Sequence, residues 1–190
     1  MHLRSFASTI ALAALASNLI VAKPMSAQMD NMKTADAAKK PLPSPPATAS
    51  ATLNGKTVTV KYSAPSIRGR KVMGELVPYG TIWRTGANAA TTLVTGANLK
   101  IGTLTVPAGT YTLYTLPSAS KWLLIVNKQT GQWGTEYKMN QDLGRTPMTS
   151  AQVSKPQETM SISFEKTEGA TTQLHVKWEN NDEYVTVTAQ

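Results

Sequence analysis

Apolar and polar residues alternate one by one in runs spread along the whole chain, and that rhythm restricts it to β architecture. Val58, Val60 and Tyr62 interleave with Thr57, Thr59 and Lys61; Met160, Ile162 and Phe164 with Ser161, Ser163 and Glu165; Leu174, Val176 and Trp178 with Gln173, His175 and Lys177. Successive side chains of a strand point to opposite faces, so each run predicts a strand with one buried and one wet face. Tyr111 to Leu116 and Trp122 to Val126 are apolar or aromatic on both faces, which predicts central strands. Turn residues fall between the runs. Asn54-Gly55 suits a type I′ hairpin, where both central residues take positive φ. Pro107-Ala108-Gly109, Pro117 to Ser120 and Asn180-Asn181-Asp182 mark further reversals. Together these predict an all-β, antiparallel β-sandwich of roughly eight to ten strands. Helix is scarce: Arg70 to Leu76 suggests a turn or two, and Gln141 to Thr149 reads as irregular. The chain contains no internal repeat.

The N-terminal end reads differently. Arg4 precedes an apolar run from Phe6 to Ala22 broken only by Ser, Thr and Asn, the pattern of a secretory signal peptide over residues 1–27, with cleavage expected after Ala27. The expected location is therefore periplasmic or secreted. No other stretch approaches the roughly 18 apolar residues of a membrane span. Residues 28–47, with Pro41, Pro43, Pro45, Pro46 and three lysines, hold almost nothing large and apolar, and predict a flexible linker. A single domain is expected from Thr48 to Gln190. With no cysteine in the chain, disulfides and thiolate metal sites are excluded, and stability must come from a core. Removing Arg4 and Lys23 with the leader leaves 17 basic against 11 acidic residues. That surplus favours anionic partners, and without a clustered Lys/Arg tract or a nucleic-acid motif it gives nucleic acid no footing.

Between Lys61 and Thr92 the alternation stops. Glycines stand at Gly69, Gly74, Gly80 and Gly86, prolines at Pro65 and Pro78, and polar residues gather around Trp83. The runs Gly69-Arg70-Lys71, Leu76-Val77-Pro78-Tyr79-Gly80 and Trp83-Arg84-Thr85-Gly86-Ala87-Asn88 lie here. With Val106 to Tyr111, Asn127 to Gly134 and Trp178-Glu179-Asn180, they resemble a bacterial envelope family known as domain of unknown function 2911. The resemblance extends from Thr48 to the end and implies an envelope protein of no stated activity. It also implies a glutamate directly after Asn88, where this chain has Ala89; an activity that used such a carboxylate would be lost here.

Six basic residues, Lys61, Arg68, Arg70, Lys71, Arg84 and Lys100, face a single acid, Glu75, between positions 61 and 100. A guanidinium without local carboxylates pairs with distant ones, bonds main-chain oxygens, or faces an anionic ligand that suits its planar fork. One reading is an anion pocket built by Arg68, Arg70 and Arg84, with Thr85 and Asn88 as neutral hydrogen-bonding groups and Tyr79 or Trp83 as a wall. The other is an irregular loop whose arginines bond its own backbone while Trp83 seals the core edge. Trp133, between Gly131 and Gly134, is the one tryptophan placed to stack on a sugar ring, such as one of a wall glycan.

Catalytic machinery finds little support. His175 is the only histidine after the leader, and its strand phase points it to solvent, so neither a triad nor a metal site is expected. Glu165, Glu168, Glu179, Asp182 and Glu183 fall on wet phases or hairpin tips. Glu136 and Asp142, beside Trp133 and Tyr137, are the better acids, without a signature. The reading that follows is a non-catalytic binding module for an anionic or carbohydrate ligand or a partner protein, with no catalytic residue, cofactor or metal. The alternatives are an enzyme using the Arg68–Asn88 loop with Glu136 or Asp142 as acid, and a purely structural envelope module.

Overall fold

A computed structural model describes residues 43–190 and shows two antiparallel sheets facing each other as an open sandwich. The first has six strands in the order β1 (Pro46–Leu53), β2 (Lys56–Ser63), β3 (Thr91–Thr95), β6 (Gly109–Leu116), β7 (Leu123–Asn127) and β8 (Asp142–Pro147). The second runs β10 (Gln157–Glu168), β11 (Thr171–Glu179), β12 (Asn181–Ala189), β4 (Leu99–Ile101) and β5 (Leu104–Val106), with β9 (Thr149–Ala151) also paired to β12. The chain thus leaves the first sheet after β3, contributes the β4–β5 hairpin to the second, and returns beside β3 as β6. Between the sheets lie Val58, Val60, Leu93, Leu113, Leu124 and Val126 on one side and Met160, Leu174, Val176, Trp178 and Val187 on the other, all buried. Val58, Val60, Met160, Leu174, Val176 and Trp178 among them are positions that the alternation marks. The Asn54-Gly55 hairpin takes positive φ at both positions, 47° and 74°, and closes Leu53 on Lys56.

The central strands β6 and β7 have a second buried face because the loop after β7 folds back over it. Tyr114 and Ile125 stand opposite each other there, Gln132 Nε2 donates to Thr112 Oγ1 and Tyr114 OH, and Asn127 Nδ2 donates to the carbonyl of Lys138.

Several expectations are corrected. The described residues hold twelve strands, more than expected, because short ones such as β4, β5 and β9 carry too few residues to show a period. Gln141 to Thr149 is mostly strand: β8 is held by pairing to β7, with Val126 opposite Gly144 and Leu124 opposite Thr146, although it has no apolar alternation of its own. Arg70 to Leu76 forms no helix; its turns are closed by a bridge between Met73 and Val77. The reversal between β11 and β12 uses Glu179 and Asn180, so Asn181 and Asp182 already pair in β12. The expected signal peptide and most of the expected linker lie outside the described residues. Of the linker's end, Pro46 and Ala47 are already strand, at an edge where proline's missing N–H costs no ladder bond. Among the described residues no helix is long and apolar enough to cross a membrane.

His175, expected in solvent, is only 4% exposed. Its outer face is covered by Tyr184 and Asp182 of β12 and by Gln173 of its own strand: the Tyr184 ring stacks on the imidazole at 4.9 Å, Nδ1 lies 2.7 Å from Asp182, and Nε2 lies 3.3 Å from Gln173. Lys177 Nζ bridges Glu165 at 2.6 Å and Asp182 at 3.4 Å. Asp182 and Glu183, expected to be wet, are buried as well.

Candidate functional site

The excursion between β2 and β3, residues 64–90, is fastened to the end of the sandwich rather than left loose. Val72, Met73 and Val77 are buried, and the Glu179 carboxylate, expected at a solvated tip, accepts the N–H groups of Val72 and Met73. Ile67 N–H donates to the carbonyl of Glu158, and Trp83 exchanges two 2.8 Å backbone bonds with Thr115. Trp83 is the hinge of this attachment. Its ring stacks on Trp178 (5.8 Å, 20°), meets Trp122 edge-on (6.1 Å, 81°), and its Nε1 donates to the carbonyl of Gly86.

The eight residues singled out in the sequence separate into distinct roles. Arg68 Nη2 donates to the carbonyl of Pro43 at 2.7 Å, and Arg70 donates from Nε to Ile67 and from Nη2 to Ser66. Both guanidinium groups therefore serve main-chain oxygens. Thr85 is fully buried, with its hydroxyl on Trp83 and Thr115, and Trp83 seals the core edge. Asn88 is exposed and reaches the carbonyl of Ser44 at 3.5 Å. Trp133 is 53% exposed and sits beyond the excursion in a bridge to Ala89, while Tyr79 lines a separate cavity beside β12.

Arg84 is different. Among the described residues it makes no hydrogen bond and no ion pair, and its buried Nε is without a partner. Its stem lies against Gly134, where a Cβ would collide with Arg84 Cδ and come within 2.7 Å of the Asn88 carbonyl. It lines a cavity of about 200 Å³ together with Arg70, the rings of Trp83 and Trp178, and Leu76 and Val77. No carboxylate or imidazole is among the lining residues. The cavity therefore combines one satisfied and one unsatisfied guanidinium with an apolar, aromatic wall.

The acids weighed for catalysis stand elsewhere. Asp142 Oδ1 accepts from Asn127, and Oδ2 accepts from Tyr137 at 2.6 Å and from Arg145 Nε and Nη2 at 3.1 and 2.9 Å. Burial, and after it the bond to Asp142, pushes the Tyr137 phenol up to about 12. This network ties β7, β8 and the covering loop, and its carboxylate is saturated. Glu136 is exposed and engaged through its backbone, its carbonyl accepting from Tyr114 OH and its N–H donating to the carbonyl of Trp133. Sequence reasoning missed Gly134 and Glu183; the first has no signal beyond its type, and the second sits on an apolar phase of β12 between Tyr184 and Asp182, where alternation with Val185 and Val187 marks it as inward.

Fold and cavity together define an all-β, sandwich-type domain with a guanidinium at the mouth of its tryptophan cluster. The chain belongs to the family described as protein of unknown function (DUF2911), whose model matches residues 44–187. No curated protein and no solved structure matches it.

Proposed function

We propose that this domain is a non-catalytic binding module of the cell envelope, exported by its N-terminal leader, and that it takes a small organic anion in the cavity at Arg84. The observation that carries the reading is the guanidinium left without a protein partner among the described residues. A buried donor of this kind is costly to leave unmade, and an anionic ligand with an apolar body satisfies the fork while covering Trp83, Trp178 and Leu76. The volume, below the roughly 300–1,000 Å³ of drug-sized sites, favours a ligand of few heavy atoms. The lack of an acid or imidazole in the lining, and Ala89 in place of the glutamate expected of relatives, favour binding over turnover.

Arg84→Met keeps the stem on Gly134 and removes the fork. Because that fork bonds nothing among the described residues, melting temperature is expected to stay within a few degrees, while affinity for carboxylates or phosphates falls about ten-fold or more. Titration calorimetry of the mature protein against a panel of organic acids reads both. A large loss of stability with unchanged binding would return Arg84 to a structural role. A second reading rests on Trp133, more than half exposed, as a stacking face for a glycan; in that case Trp133→Ala abolishes glycan retention and Arg84→Met does not.

A further inference from the structure

A second cavity, of about 130 Å³, lies at the start of β12 and has the opposite electrostatic character. It is lined by Glu183, Ser150, Ser118, Ser120, Asn181 and Tyr79. Glu183 is 4% exposed, and its carboxylate has one donor, the Ser150 hydroxyl, 2.8 and 3.0 Å from its two oxygens. No cation lies within ion-pair distance of it among the described residues. The basic side chains of this part of the sheet, Lys177 and His175, are engaged by Asp182, whose side chain points to the opposite face of β12. Glu179, at the adjacent turn, spends its carboxylate on Val72 and Met73. Of the remaining titratable groups lining the cavity, Tyr79 contributes a phenol and Asp182 is paired away from it.

A carboxylate can accept about four hydrogen bonds and has one here, and a buried charge without a counter-ion is costly. We propose that this cavity is a site for a primary ammonium group, with Glu183 as its counter-ion. An ammonium carries one positive charge and three donors, which the Glu183 carboxylate and the oxygens of Ser150, Ser120 and Asn181 are of the right kind to receive. A divalent metal fits less well: it needs several charged ligands, and no group of three or more His, Cys, Asp or Glu is placed to hold one among the described residues. At about 30 Å³ per water, the volume admits an ammonium head and a few carbons, so the rest of a larger ligand lies outside. Burial and the neighbouring Asp182 charge hold the Glu183 carboxyl above the usual carboxylate range, with the Ser150 bond opposing them. Ammonium binding therefore weakens as pH falls at a higher pH than for an ordinary glutamate.

The test is a thermal-shift and calorimetric titration of the mature protein at pH 8 with ethylammonium, tetramethylammonium, Mg²⁺ and Ca²⁺ at matched ionic strength. Ethylammonium is expected to stabilise the wild type and to lose about ten-fold or more in affinity in Glu183→Gln, which preserves shape and the Ser150 bond. Tetramethylammonium, without N–H donors, should have no effect. Ala119→Trp, at an exposed lining residue, should block ethylammonium with Glu183 untouched, which keeps the test decisive if Glu183→Gln folds poorly. Glucosamine and a lysyl dipeptide, compared on the same protein, separate an amino sugar from a lysine side chain as the source. An equal response in wild type and Glu183→Gln, a response to divalent cations alone, or no response to ethylammonium overturns the assignment. Since Arg84 lines the other cavity, none of these results touches the anion reading.

Discussion

Trp178→Ala is expected to remove about 3–5 kcal/mol of folding stability, a large part of the roughly 5–15 kcal/mol that holds a domain together. The ring is 2% exposed, lies on the inward face of β11 with Leu174 and Val176, stacks on Trp83, and donates from Nε1 to the carbonyl of Glu158 in β10. Its loss opens a void between the sheets, leaves the Glu158 carbonyl one donor short and removes the surface on which the excursion is seated. The cost should therefore exceed that of an ordinary Leu→Ala at the sheet centre. It should also reach the anion cavity, whose wall Trp178 forms. Urea denaturation at 25 °C measures the first effect, and anion titration under native conditions the second. Trp133→Ala is the control: its ring is mostly in solvent, and the change should stay within about 0.5 kcal/mol. Equal costs at the two tryptophans would mean that the cluster of Trp83, Trp122 and Trp178 is not what anchors the excursion.

Strand phase was legible from sequence wherever one sheet face is apolar, because the period of two needs nothing but side-chain type. It failed where burial comes from neighbours instead. His175 obeys its phase and faces outward, yet Tyr184 and Asp182 close over it beside Gln173, and which residues of β12 do so depends on the register of β11 against β12. β8 has the opposite problem: Asp142 to Pro147 is a strand by its pairing to β7, and Gly144 in its middle makes room for Leu104, so no apolar repeat announces it. The arginine cluster was visible as charge, but whether a guanidinium is free depends on which carbonyls approach it. Those of Pro43, Ser66 and Ile67 do so for Arg68 and Arg70, and among the described residues none does for Arg84. Composition identified the segment; only the path of the backbone separated three arginines that look alike in sequence.

Gly134→Ala is expected to cost about 1–3 kcal/mol and to weaken anion binding in the same step. The strain is not conformational, since Gly134 does not take positive φ. It is steric: a Cβ would strike Arg84 Cδ, approach Arg84 Cβ at 3.1 Å and press on the Asn88 carbonyl at 2.7 Å, the same carbonyl that accepts the Gly134 N–H. Arg84 can swing aside, but only by leaving the cavity wall, whereas the Asn88 carbonyl belongs to a backbone pinned by the Ala89–Trp133 bridge and by Ala90 N–H on Gln132. The two contributions separate in a double-mutant cycle with Arg84→Ala. Removing the stem relieves the contact with Cδ and leaves the one with Asn88, so Gly134→Ala should be measurably cheaper in the Arg84→Ala background than in wild type, though not free. Denaturation of the four proteins gives the coupling energy, and titration of Gly134→Ala alone gives the loss of affinity. Additive costs within error, with anion affinity intact, would show that Gly134 does not position Arg84, and would remove the support that aims its guanidinium into the cavity.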